Sequence, residues 1–146
     1  MKLVSILTCL AVAALAAGCG TDTPTSPDDT TDSVADPSIT ETFAGTLTPG
    51  GSAFYAFTVG ENGTVNVTLT SIGGTAAVPS TTWVGMGLGT PSGEDCATAT
   101  SINTQAGGED VAQLTGTYAE GVYCVRVADI GNLGAAAPFT VVIAHP

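Results

Sequence analysis

Val65, Val67 and Leu69 alternate with Thr64, Asn66, Thr68 and Thr70. Successive side chains of a strand point to opposite faces, so a strict period of two buries one face and wets the other. A helix would scatter the same apolar residues around its circumference. The pattern recurs. Phe43 and Leu47 share one face, Tyr55, Phe57 and Val59 another, and Val84, Met86 and Leu88 alternate with Gly85, Gly87 and Gly89. Residues 122–127 and 139–143 read as two further strands. Thr48-Pro49-Gly50-Gly51 is a turn by composition, and Asn62-Gly63 between alternating runs is a hairpin signal. Gly73 to Ser80 and Gly89 to Gly108 read as loops.

Many short strands separated by glycine-rich turns fit a sandwich or a barrel. We take the fold class as all-β, a small antiparallel β-sandwich of jelly-roll-like form. Residues 42–146, about 105 in number, lie within the usual single-domain range and can bury a core. An immunoglobulin arrangement would need a tryptophan between paired cysteines. Trp83 precedes both Cys96 and Cys124, which excludes it.

The N-terminal residues have a different character. Met1 and Lys2 precede an apolar run from Leu3 to Ala17, broken only by Ser5, Thr8 and Cys9. A charged start, a short apolar run and small residues at its end describe a signal peptide, here residues 1–18. A spanning helix needs about 20 apolar residues. Leu15-Ala16-Ala17-Gly18-Cys19 resembles the lipobox of bacterial lipoproteins, with Ala16 where leucine is commonest. The resemblance implies a diacylglyceryl group on Cys19 and cleavage before it, making Cys19 the mature N-terminus. The other reading is ordinary cleavage after Ala14-Leu15-Ala16 and a soluble product. Two or three acyl chains, at about 0.8 kcal/mol per buried methylene, would hold the protein on a bacterial membrane. Gly20, where inner-membrane retention uses aspartate, favours the outer membrane. The domain is then expected to face the periplasm or the cell exterior.

Residues 19–41 follow as a linker. Thr21 to Ser33 contains no apolar residue except proline. Such a stretch cannot offset its ordering entropy and is expected to be a disordered acidic tether, spanning roughly 60 Å if extended.

With Cys9 removed and Cys19 lipidated, Cys96 and Cys124 are the remaining thiols in an oxidising compartment, and a disulfide between them is expected. The domain holds seven acids, Glu61, Glu94, Asp95, Glu109, Asp110, Glu120 and Asp129, against Arg126 alone. Phosphate backbones demand lysine or arginine, so nucleic acid is excluded as a partner. Anionic lipid surfaces repel such a body, which suits a domain carried away from them. Alternation places Arg126 on a face with Val122 and Cys124, with an acid such as Asp129 as ion-pair partner.

Gly45 to Val59, Asn62 to Leu69, Glu120 to Val127 and Phe139 to Ile143 together resemble the bacterial pre-peptidase C-terminal domain, a β-sandwich appended to many secreted proteins. Thr81-Thr82-Trp83-Val84 stands where members commonly carry aspartates, so calcium sites of some relatives do not carry over. The resemblance implies a fold and an appendage, not a peptidase.

Candidate chemistry is sparse. His145 is the one histidine and lies beside the last residue, where fraying is common, so a structural or solvated role is expected. Nothing resembles Gly-x-Ser-x-Gly. Transition-metal sites gather several histidine or cysteine ligands. Calcium takes oxygen ligands, and Glu94-Asp95 with Glu109-Asp110 are the candidate set. Trp83, Tyr118 and Tyr55 are the aromatics from which a sugar platform would be built, with core or strand packing the default for them. The expectation is a noncatalytic envelope lipoprotein whose sandwich binds an envelope protein or glycan, or acts structurally. Its alternatives are a calcium-dependent glycan- or protein-binding module and, third, a small secreted hydrolase. No cofactor is expected beyond the calcium candidate.

Overall fold

The computed structural model of the protein describes residues 34–108 and 111–146. The signal peptide, Cys19 and residues 19–33 of the linker lie outside the described residues. The remainder forms eight strands: β1 (Ile39–Leu47), β2 (Ser52–Val59), β3 (Gly63–Ile72), β4 (Val84–Ser92), β5 (Asp95–Thr104), β6 (Leu114–Tyr118), β7 (Gly121–Ala128) and β8 (Ala137–His145). They make two antiparallel four-stranded sheets, ordered β1-β8-β3-β6 and β2-β7-β4-β5.

The pairing is nested. The first strand pairs with the last, the second with the seventh, the third with the sixth, and the fourth with the fifth. One long hairpin folded over on itself gives this order, which is the eight-stranded jelly roll. The β-sandwich with one disulfide is therefore the fold.

Alternation built the core as expected. Val65, Val67, Leu69, Val84, Met86, Leu88, Phe57, Val59 and Leu47 are buried, joined by Val125, Val127, Phe139, Val141 and Ile143 from the last two strands. Aromatic side chains close one end: Phe43 stacks on Tyr55 at 5.4 Å and meets Phe139 edge-on at 5.1 Å.

Four local expectations need correction. The Asn62-Gly63 turn is not a hairpin, because β2 and β3 lie in different sheets. It crosses from one sheet to the other, and so does the turn at Pro49-Gly50-Gly51. Among the described strands only β4 and β5 are consecutive within one sheet. Second, Gly89 to Gly108 is not a loop: it contains the end of β4 and all of β5. β5 is an edge strand of small, polar residues with most of its surface exposed, so it carries no apolar alternation to recognise. Third, β6 is a short edge strand of five residues that the same criterion passed over. Fourth, order begins before Thr42. β1 starts at Ile39, and Ala35 makes a parallel bridge to Gly63.

One side chain completes a sheet. β6 ends its pairing with β3 at Leu114 opposite Val67, leaving the next backbone groups of β3 without a strand partner. Gln113 takes that place. Its Oε1 accepts the Leu69 N–H at 2.7 Å and its Nε2 donates to the Leu69 carbonyl at 3.2 Å.

Candidate functional site

Among the described residues, three clusters of ionisable side chains are held by hydrogen bonds or an ion pair within the fold. In the first, β1 and β8 pair along their whole length, Ile39 opposite His145. Glu41 and His145 face inward at the end of that pair. His145 is 1% exposed; its Nε2 lies 3.0 Å from Glu41 Oε1 and its Nδ1 lies 3.1 Å from the Pro146 carbonyl oxygen. Tyr55, from the opposite sheet, donates its hydroxyl to Glu41 Oε2 at 2.5 Å. Phe57 covers the imidazole with ring centroids 5.2 Å apart. The Tyr55 hydrogen bond, supported by His145, holds the Glu41 carboxyl below its ordinary value although burial opposes it. The same bond raises the Tyr55 phenol. His145 is therefore a packed structural residue, not a frayed one. Its pairing with a carboxylate resembles half of a catalytic triad, but the ring has no open side for a substrate.

The second cluster surrounds Asp129. Its Oδ2 accepts the Gly50 N–H at 2.7 Å, and its Oδ1 accepts the N–H groups of Gly131, Asn132 and Leu133 at 2.9, 2.9 and 3.1 Å. The Gly50 bond leads, and the loop amides assist, in lowering the Asp129 carboxyl below its ordinary value. Asp129 thus pins the loop after β7 to the β1–β2 turn. It is not the ion-pair partner of Arg126.

The third cluster holds that partner. Arg126 Nε lies 3.5 Å from Asp95 Oδ1, and Arg126 Nη2 donates to Ser52 Oγ at 3.1 Å. At 3.5 Å the ion pair is too long for a good hydrogen bond, and the buried Nε atom has no hydrogen-bond partner among the described residues. Asp95 also accepts the Cys96 N–H at 2.8 Å. The disulfide joins Cys96 to Cys124, with Cα atoms 5.9 Å apart, and so ties β5 to β7. β4 runs between those two strands in the sheet. The bond closes over Gly89, where a methyl group would collide with the Ala97 carbonyl. Only glycine lets β5 approach this closely.

Of the calcium candidates, Asp95 faces a guanidinium that disfavours a cation at its carboxylate, and Glu109 and Asp110 lie outside the described residues. Among the described residues no three His, Cys, Asp or Glu side chains gather to hold a metal. The three-ring sugar platform does not assemble. Tyr55 is stacked inside on Phe43, and Tyr118 packs edge-on against Tyr123 at 5.1 Å. Trp83 stands apart and is 48% exposed.

A feature missed in the sequence lies on the outer face of the β2-β7-β4-β5 sheet. The buried row Val84, Met86 and Leu88 leaves Gly85, Gly87 and Gly89 as the outward row of β4. With no side chains there, the sheet surface has a hollow of about 150 Å³ along β4, walled by Ser101 and Asn103 of β5 and by Arg126 and Ala128 of β7. The signal was present in the Gly-x-Gly-x-Gly alternation, which marks a bare face as clearly as it marks a strand.

No protein-family model matches the chain, and no curated protein matches it either. The fold and its outer hollow define a disulfide-closed jelly-roll sandwich.

Proposed function

We propose that this protein is a noncatalytic lipoprotein of the bacterial cell envelope that presents its jelly-roll domain for binding. The observation that carries the reading is the state of His145. The one imidazole in the chain is enclosed between Phe57 and Glu41, with both ring nitrogens facing oxygen atoms. A general base must come within hydrogen-bond reach of the proton it takes from substrate. This one reaches only its own protein. Asp129 and the Arg126–Asp95 pair are likewise held by internal partners, which supports recognition as the role of the domain.

The lipobox-like Leu15-Ala16-Ala17-Gly18-Cys19 supports attachment to the membrane, and Gly20 in place of aspartate favours the outer membrane. The excess of acids over Arg126 supports a domain standing away from anionic lipid. The nested strand order is compatible with the pre-peptidase C-terminal likeness, which belongs to the same reading. Glycan or an envelope protein is the partner class.

The test is expression of the full chain beside a Cys19→Ser variant, with radiolabelled palmitate and membrane fractionation. The native chain should carry label and sediment with membranes, and the variant should do neither. A mature N-terminus at unmodified Ala17 would overturn the anchored reading.

A further inference from the structure

The outer hollow on β4 has a chemistry of its own, and it deepens the binding reading above. Its floor is backbone. A Cβ at Gly87 would lie 2.5 Å from Thr98 Cγ2, and one at Gly85 would lie 3.2 Å from Ile130 Cγ2. Thr98 therefore occupies the place a side chain at Gly87 would take, and Ile130 stands close beside the one at Gly85. Ser101 and Asn103 stand opposite Gly87 and Gly85 on β5. Arg126 stands opposite Gly87 on β7.

We propose that this hollow binds a neutral saccharide, taking one pyranose unit of a longer glycan. Size is the first argument. A volume of about 150 Å³ is well under the about 300–1000 Å³ of sites that enclose a drug-sized molecule, yet a cavity of that volume accepts a benzene ring. One six-membered ring fits. Polarity is the second. Ser101, Thr98, Asn103 and Arg126 set hydroxyl, amide and guanidinium groups around the space, a mixture of donors and acceptors that suits vicinal hydroxyls and not a hydrocarbon.

Charge selects within the class. Arg126 already faces Asp95, and the surrounding domain is strongly acidic, so an anionic sugar gains little from the guanidinium and is repelled by the rest. The neutral saccharide is left. Trp83 lies outside the lining of the hollow, two residues before Gly85 in the chain, and half of it is open to solvent. Exposed aromatic faces are polarisable apolar surfaces that suit the C–H face of a pyranose, and an adjoining loop holds the Trp83 backbone in place through Asn132 Nδ2 at 3.3 Å.

Binding is read by calorimetric titration, with the emission of Trp83, the sole tryptophan, as a second readout. The full chain, purified in a polyoxyethylene detergent without sugar head groups, is titrated with cellotetraose, maltotetraose and the β-1,4-linked tetramer of N-acetylglucosamine. Tetragalacturonate is the anionic comparison. At least one neutral tetramer should give saturable heat that survives chelation of calcium. Asn103→Ala, an exposed strand position, should weaken that binding about tenfold, the loss of one net hydrogen bond. Gly85→Ala should weaken it as well by raising the floor, with the melting temperature showing that the fold persists. The proposal is overturned if no neutral tetramer produces saturation, if only tetragalacturonate binds, if binding requires calcium, or if both variants bind as the native chain does. Membrane fractionation reads anchoring independently, so a failed titration leaves the lipoprotein reading standing, and a soluble chain that binds sugar leaves the hollow standing.

Discussion

Glu41 and His145 stand 104 residues apart in sequence and 3.0 Å apart in space, carboxylate oxygen to imidazole Nε2. The contact fastens the first strand to the last at the end of the sandwich, and Tyr55 brings the other sheet into it through Glu41. A chain whose ends pair in this way gains stability from side chains that look, in one dimension, like candidates for catalysis.

Replacing His145 by alanine removes a buried ring from Phe57 and leaves Glu41 with one partner fewer. The expected loss is about 2–4 kcal/mol of folding stability, read by denaturant unfolding. A variant as stable as the native chain would show that the ring is not part of the core.

Acid should act through the same cluster. Glu41 is held below its ordinary value of 4.5, so the folded state favours the carboxylate, and its contribution is complete at neutral pH. Stability is then lost as pH falls from about that value through the lower folded-state one. Asp129, lowered by the Gly50 and loop amides, contributes with the same sign. The double variant Glu41→Gln, Asp129→Asn should melt at a temperature that varies less between pH 5 and pH 3 than the native protein's does, a window set by these ordinary and lowered carboxyl values.

The disulfide closes a separation of 28 residues. On the chain-entropy account its removal costs about 3–4 kcal/mol, so Cys96→Ala with Cys124→Ala should lower the denaturant midpoint without changing the fold. Reductant should lower the native midpoint and leave the double variant's unchanged.

Gln113 substitutes for a strand beside Leu69. In Gln113→Ala the Leu69 N–H loses its partner while the Leu69 carbonyl keeps the Gly107 N–H at 2.9 Å, at a cost of about 1–3 kcal/mol. Amide exchange at Leu69 should accelerate more than at Val67, whose partner is Leu114 of β6.

Gly89→Ala sets a methyl group against the Ala97 carbonyl where β5 crosses close to β4. Overpacking of this kind costs about 1–3 kcal/mol. The measured loss should exceed that of Gly50→Ala only if close approach, not the positive backbone angle of Gly50, is the larger penalty; equal or smaller loss at Gly89 would count against the tight crossing.

The strands that form the two inner faces were legible because their burial is written residue by residue. Val65, Val67 and Leu69 face inward in the structure as their spacing requires, as do Val84, Met86 and Leu88. The cysteine pair was legible by elimination. The edge strands β5 and β6 were not, since one side of an edge strand meets water and its residues need no apolar period. The Gly-x-Gly-x-Gly alternation marks a bare outer face, but the walls of the hollow come from β5 and β7, which only the strand order brings beside β4.

By itself, then, the sequence determined which segments are strands of the core, which way their side chains alternate, and that Cys96 and Cys124 pair. Those are local properties, dictated by the two-residue period of the extended backbone and by thiol chemistry. Tertiary structure alone decided that Asn62-Gly63 crosses between sheets, that Arg126 faces Asp95 while Asp129 caps a loop, and that His145 is enclosed by Glu41 and Phe57. Each of these depends on which distant strands become neighbours. That choice follows from the nested pairing of the whole chain, and no window of adjacent residues contains it.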